Sequence, residues 1–322
     1  MNLKEPVFQD VLDARRVIHP HVHRTPLRRY PALCDLIGAD VWVKHENYQV
    51  AGSFKVRGGL NLVARTTEAE RARGFITAST GNHGQSVAFA AGVYGSNATI
   101  VVPEGANPLK VSAMRALGAR VLHHGPMFDF AREYAERMAV DDGLRYVHPA
   151  NEPLLIAGVA TYTLEVHEDL GEIDYIFVPV GAGSGASGAC IVADTVAPST
   201  RVMAVQSAEA PSAYLSWKQG ELVDAQMETE AEGLATASSY DFPQAILRKR
   251  LHDFVAVSDQ RIKEAAGRFI ESTRSLIEYA GASSLGAAMD LKETLAGKRV
   301  VLIASGANAS MAQLDDSLAA IR

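Results

Sequence analysis

The feature that most constrains this chain is an alternation. Short runs rich in β-branched residues recur, each followed by a stretch of helical length. The runs lie at 41–46 (VWVKHE), 75–79 (FITAS), 98–104 (ATIVVPE) and 119–125 (ARVLHHG), and then at 175–181 (YIFVPVG), 201–207 (RVMAVQS) and 299–306 (RVVLIASG). Helices are expected between them over 82–93, 108–117, 128–140, 186–196 and 260–272. Such alternation predicts an α/β fold whose parallel sheets are wrapped by helices on both faces. The middle runs are apolar throughout, as strands buried on both sides must be. Two doubly wound open sheets are expected. One set of βα units occupies 67–149 and another runs from 150 to the end, while the first 66 residues could join either.

Composition then removes several classes of function. The 31 basic residues are outnumbered by 37 acidic ones, giving a formal charge of −6. No segment gathers Lys and Arg into a stripe, so a nucleic-acid partner has no electrostatic footprint. The first ten residues, MNLKEPVFQD, carry acids and no apolar run, unlike a secretory signal. No window reaches the apolar length of a membrane span. Cys34 and Cys190 are the only cysteines, which excludes a disulfide framework and suits a reducing, cytoplasmic setting. The acidic stretch 221–232 reads as a solvated loop with some helix.

Four glycine- or hydroxyl-rich segments stand where chemistry would be done. In Ala51-Gly52-Ser53-Phe54-Lys55-Val56-Arg57-Gly58, Ser53 is a good N-cap, which puts Lys55 in the first turn of the following helix. The positive end of a helix favours the neutral form of an amine, the state a Schiff-base lysine needs. A lysine in a first turn is, however, more often simply solvated. In Ser79-Thr80-Gly81-Asn82-His83-Gly84, hydroxyls, an amide and free N–H groups could cradle a carboxylate, although ordinary helix capping asks for the same residues. The run Gly181-Ala182-Gly183-Ser184-Gly185-Ala186-Ser187-Gly188 lets backbone N–H groups approach a phosphate. It also contains the GxGxxG spacing of dinucleotide sites. Those sites expect an acid at the end of the next strand, and here that strand ends Val205-Gln206-Ser207, with Glu209 beyond it. Last comes Ser305-Gly306-Ala307-Asn308, whose serine could hydrogen-bond a heteroaromatic nitrogen without protonating it.

In this order, the four segments resemble the fold-type II pyridoxal-phosphate enzymes, specifically the serine/threonine dehydratase and serine racemase branch. The resemblance runs from Arg24-Thr25-Pro26-Leu27 through Lys44-His45-Glu46-Asn47 and Gly52-Ser53-Phe54-Lys55, then Pro103-Glu104-Gly105-Ala106 and Ile277-Glu278, to the Ser305 loop. It implies a tryptophan synthase β-like architecture: a large cofactor-binding domain of residues 1–66 and 150–322, and a small substrate-side domain of residues 67–149. It also implies pyridoxal 5'-phosphate as cofactor and a homodimer. Lys55 would carry the cofactor and move the Cα proton, with Thr80 as a second catalytic group. Phe54 would sit beside the cofactor ring, and Asn82 would meet its phenolic oxygen. Gly181, Ala182, Gly183, Ser184 and Gly185 would hold the phosphate. Ser305 would face the pyridine nitrogen, with Glu278 nearby. Ser79, Thr80, Asn82 and His83 would hold the substrate carboxylate. The implied reaction is β-elimination from a small hydroxy amino acid such as L-threonine or L-serine, giving a 2-keto acid and ammonia.

Departures from the pattern refine these expectations. Ala182 and Ser184 interrupt what is usually an unbroken glycine run, and Ala307 replaces a glycine. Relatives that bind a divalent ion use a glutamate and an aspartate where this chain has Gln206 and Ser212, so no divalent metal is expected there. A monovalent ion stays open. Thr80 keeps a hydroxyl where the racemase has serine, which keeps a serine- or aspartate-type racemase among the alternatives. Tyr279 and the run Gly158-Val159-Ala160-Thr161 are also unusual, and point to a larger or more polar substrate such as 3-hydroxyaspartate, phenylserine or hydroxyectoine. A β-replacement synthase and a non-catalytic binding protein are the remaining rivals. Since the resemblance ends with the chain, no feedback by an end-product amino acid is expected. His19, His21 and His23 alternate as metal ligands can, but no carboxylate or cysteine stands near them.

Overall fold

The computed structural model describes residues 3–322. Its ten strands are β1 (Leu27–Arg29), β2 (Asp40–Lys44), β3 (Phe75–Ala78), β4 (Ala98–Val102), β5 (Arg120–His123), β6 (Arg145–Tyr146), β7 (Tyr175–Pro179), β8 (Arg201–Ser207), β9 (Asp253–Val257) and β10 (Arg299–Ile303). They form a six-stranded sheet in the order β1-β2-β10-β7-β8-β9 and a four-stranded sheet in the order β5-β4-β3-β6. Only the β1–β2 pair is antiparallel. The α/β class and the two open sheets read from the alternation are present.

The order matters more than the count. The last strand in sequence, β10, lies between β2 and β7, so the loop at Ser305 sits beside those closing β2 and β7. Parallel strands end at a common edge, and ligands of open α/β sheets bind outside that edge. In the second sheet, β3 and β4 are buried along their whole length, and the Ser79 segment follows β3 directly.

One helix joins the two sheets. Lys55–Ala64 packs against helix Asn82–Val93 on one side and helix Pro153–Leu170 on the other. Glycine makes both approaches possible. A Cβ on Gly59 would meet Ser86 Oγ at 2.4 Å, and one on Gly58 would come within 2.9 Å of the Leu155 carbonyl. From the opposite helix, a Cβ on Gly158 would stand 2.5 Å from the Arg57 carbonyl.

Two expectations are corrected. Ser53 does not cap the helix at Lys55: the cap position is Phe54, in helical geometry, and the buried Ser53 hydroxyl has no hydrogen-bond partner. Residues 221–232 contain no helix and form an exposed loop, broken by the buried Ala231. Elsewhere the expected helices appear with ends moved by up to two residues; the one after the glycine run starts at Ser184.

Candidate active site

Lys55 is the first residue of its helix, and its loop is tied to the loop after β10. The Phe54 N–H donates to the Ser305 carbonyl at 3.1 Å, and Ser53 bridges to Gly306. The Lys55 Nζ lies 3.2 Å from Ser184 Oγ and 5.2 Å from the centre of the Phe54 ring. Among the described residues, no carboxylate lies within ion-pair distance of it. Burial therefore acts unopposed and lowers its pKa from the ordinary 10.5 to about 8. A nucleophilic amine is held within reach of neutrality.

The glycine run closes β7 and opens helix Ser184–Val196, whose first N–H groups have no intrahelical acceptor. Gly183 occupies the left-handed region at φ 91°. Space around the loop is tight: a Cβ on Gly181 would stand 2.3 Å from the Gly233 carbonyl. The Tyr162 hydroxyl donates to the Gly185 carbonyl at 3.1 Å and fixes the loop from behind. An anion cradle next to a desolvated lysine suits a phosphorylated aldehyde, and these residues fit pyridoxal phosphate.

The Ser79 segment faces that lysine from the other sheet. Ser79 Oγ accepts from the N–H groups of Gly81 at 3.2 Å and Gly84 at 2.9 Å, so it does cap this turn. Thr80 is half-buried beside it. His83 turns its ring away: Nε2 meets the Val147 carbonyl at 3.2 Å, and a carbonyl can only accept, so the proton is on Nε2. Burial, with the Lys55 charge adding to it, lowers His83 to about 3 and keeps the ring neutral. What His83 offers a carboxylate is thus its backbone N–H, not its imidazole.

Asn82 reaches across to the first sheet, where its Nδ2 donates to Glu278 Oε1 at 2.6 Å. The Glu278 carboxyl is pushed up by burial, against the pull of Lys110 and the Asn82 amide. Gly306 leaves room for that carboxyl, since a Cβ there would overlap Oε1 at 2.3 Å.

Several participants were given no role by the sequence, although some lie in the motifs quoted from it. Lys110 is buried beside Gly81 and pairs with Glu232, within the loop read as merely solvated. Asn308 donates to Asn82. Behind Lys55, Arg57 holds Glu46 through Nε and Nη2 and Glu165 through Nη1 and Nη2, all four contacts at 2.7–2.9 Å. Lys44 donates to the same Glu165 at 2.5 Å. Burial opposes each charge, yet the two carboxylates hold Arg57 charged, and Arg57 with Lys44 holds Glu46 below the usual carboxylate range. Charged residues in otherwise buried, glycine-rich segments were the available clue.

Gln206 and Ser212, the two positions weighed for a divalent ion, are both engaged with protein. Gln206 Oε1 accepts from the N–H groups of Ala213 and Tyr214, both at 3.0 Å, and Ser212 Oγ donates to the Thr236 carbonyl at 2.7 Å. Among the described residues, no three His, Cys, Asp or Glu side chains are grouped to hold a metal, and no helix is long and apolar enough to cross a membrane.

A family model described as "Pyridoxal-phosphate dependent enzyme" matches residues 18–306. The chain belongs to that family. The enzyme is 37% identical to an L-threonine ammonia-lyase of Thermotoga maritima, over 96% of this chain and 77% of the relative. It is 32% identical to an L-threo-3-hydroxyaspartate ammonia-lyase of Saccharomyces cerevisiae, over 95% and 94% of the two chains. Its fold superposes on maize serine racemase with a TM-score of 0.92, at 29% identity and 98% coverage of each. The enzyme is a pyridoxal-phosphate-dependent lyase of fold type II.

Proposed function

We propose that the enzyme is a dehydrating ammonia-lyase that converts a β-hydroxy amino acid of the L-threonine or L-serine kind to a 2-keto acid and ammonia. The observation that carries this is the Lys55 amine, brought towards neutrality by burial and set between the Phe54 ring and an anion cradle. Bound pyridoxal phosphate supplies an electron sink next to the substrate Cα. Lys55 would hold the cofactor through its aldehyde, and its free amine is the group that would take the Cα proton. Phe54 backs the ring. The N–H groups of Gly181 to Gly185 and the Ser184 hydroxyl receive the phosphate. Ser79, Thr80, Asn82 and the His83 N–H receive the α-carboxylate. Ser305, a hydroxyl and not an acid, would meet the ring nitrogen without protonating it. Asn82 would meet the phenolic oxygen, with Glu278 behind it.

Borohydride reduction followed by peptide mass mapping tests the first step, and the adduct is expected on Lys55 alone. Keto-acid release from L-serine, L-threonine, 3-hydroxyaspartate, phenylserine and hydroxyectoine then ranks substrates. An adduct elsewhere, or none in cofactor-saturated protein, sinks the reading. The half-buried Thr80 hydroxyl favours one second activity, racemisation of the same substrates, read by chiral analysis of unreacted amino acid. Further parts of the proposal are a homodimer in a cytoplasmic, reducing setting, and a division into residues 1–66 with 150–322 and residues 67–149.

A further inference from the structure

Two side-chain amides lie in series beside the site, and amides have no direction of their own, because oxygen and nitrogen occupy the same shape. Direction must come from a neighbour that can play only one role. Here that neighbour is the Ala51 carbonyl, a pure acceptor, which lies 3.1 Å from Asn308 Nδ2. It fixes the Asn308 nitrogen towards itself. The same nitrogen stands 2.7 Å from Asn82, which must therefore present its oxygen. With Oδ1 so engaged, Asn82 turns Nδ2 to Glu278 Oε1 at 2.6 Å. One hydrogen of that nitrogen is used and the other remains for an acceptor in the cleft.

We propose that Asn308 is a positioning residue: through the directed chain Ala51 carbonyl–Asn308–Asn82–Glu278, it makes Asn82 a hydrogen-bond donor towards the cofactor. The inference rests on the reading above that Asn82 faces the phenolic oxygen. Phenolate oxygen accepts, so an Asn82 turned the other way would oppose it with a second acceptor. Gly52 belongs to the same device. It takes φ 65°, and a Cβ on it would come 2.8 Å from Asn308 Oδ1, so only glycine leaves the Asn308 amide in place.

The test compares Asn308→Asp with Asn308→Ala in cofactor-loaded protein, reading the visible absorption band and the rate of cofactor release. Aspartate keeps the shape but offers only acceptors to Ala51 and Asn82. Alanine removes the shape and leaves Asn82 directed by Glu278 alone. Direction predicts that Asp is the worse variant, with release about fivefold faster than in Ala and a shifted band. Packing predicts the reverse order. In an Asn82→Ala background the difference between Asp and Ala is expected to vanish, which separates a route through Asn82 from added negative charge near Glu278. An Ala variant as impaired as Asp, or a difference that survives loss of Asn82, overturns the proposal. Wild-type protein with no Lys55 adduct is a different failure, and strikes the reading of the site itself.

Discussion

The Lys110 ammonium pairs with the Glu232 carboxylate across the gap between the two sheets, one from the helix after β4 and the other from the loop preceding helix Asp241–Arg250. Lys110 is buried next to Gly81, in the turn after β3, whereas the loop at Glu232 leans on Gly181. The pair thus ties the turn proposed to receive the carboxylate to the loop proposed to receive the phosphate.

Breaking it should weaken substrate binding more than folding. The Glu232 side chain is 41% exposed and can turn to water when its partner is lost, so the pair contributes about 1 kcal/mol or less to stability. Lys110→Met and Glu232→Gln are each expected to raise KM several-fold with kcat less affected. Steady-state kinetics of both variants and the double variant measure this. Additive effects would show that the two residues act separately.

The cluster around Arg57 is different, because none of its charges can reach water. Arg57→Met leaves Glu46 and Glu165 with Lys44 alone, and breaking a buried pair in this way costs about 3–5 kcal/mol. Arg57→Lys keeps the charge but not the fork that serves two carboxylates at once. Urea unfolding should rank wild type above Lys and Lys above Met. Equal stability of all three would refute the assignment.

Lys55 makes the cofactor-free protein sensitive to alkali in a stated direction. Below about pH 8 the folded and unfolded chains both hold its proton, and the folded chain carries a desolvated charge. Between about 8 and the ordinary 10.5 the unfolded chain still holds the proton and the folded one has released it. Stability contributed by this group therefore rises with pH across that window. Lys55→Met should melt higher than wild type at pH 7, and the gap should close towards pH 10.5. Paired thermal melts of cofactor-free protein test this, and a gap that ignores pH would count against it.

The glycine run offers a graded test. A methyl group on Gly181 meets a backbone carbonyl at 2.3 Å, which cannot yield without moving the loop at Gly233. On Gly185 it meets Tyr162 Oη at 3.2 Å and the Phe54 ring at 3.4 Å, contacts that side chains can relieve. Gly181→Ala should weaken cofactor binding by about tenfold or more, roughly 1.4 kcal/mol, and Gly185→Ala by less. Spectral titration with pyridoxal phosphate compares them, and the opposite order would count against this account.

Legibility followed burial in the sheet interiors, although the exposed edge strand β5 was also seen. The seven runs seen in the sequence are strands, and interior ones such as β3, β4 and β7 are buried along their whole length. The three strands that went unseen, β1, β6 and β9, all lie at sheet edges, where one side faces solvent and the apolar pattern fades. The same limit applied to the site. Lys55, Asn82 and Gly181 stand in local patterns whose chemistry can be read from neighbours. Lys110 and Glu232 are 122 residues apart, and only the folded chain makes them a pair. Ser53 misled because a hydroxyl two residues before a helical lysine looks like a cap, yet the loop reaches helical geometry one residue later, at Phe54.

The glycines at 58 and 59 have a mechanical consequence. They let helices from both halves of the molecule bear on the short helix that starts at Lys55, one on each flank. A body gripped on two sides stays near the centre of any rocking between its holders. The Lys55 nitrogen rides on that hub, so any rocking of one sheet against the other would move it less than the loops on either side.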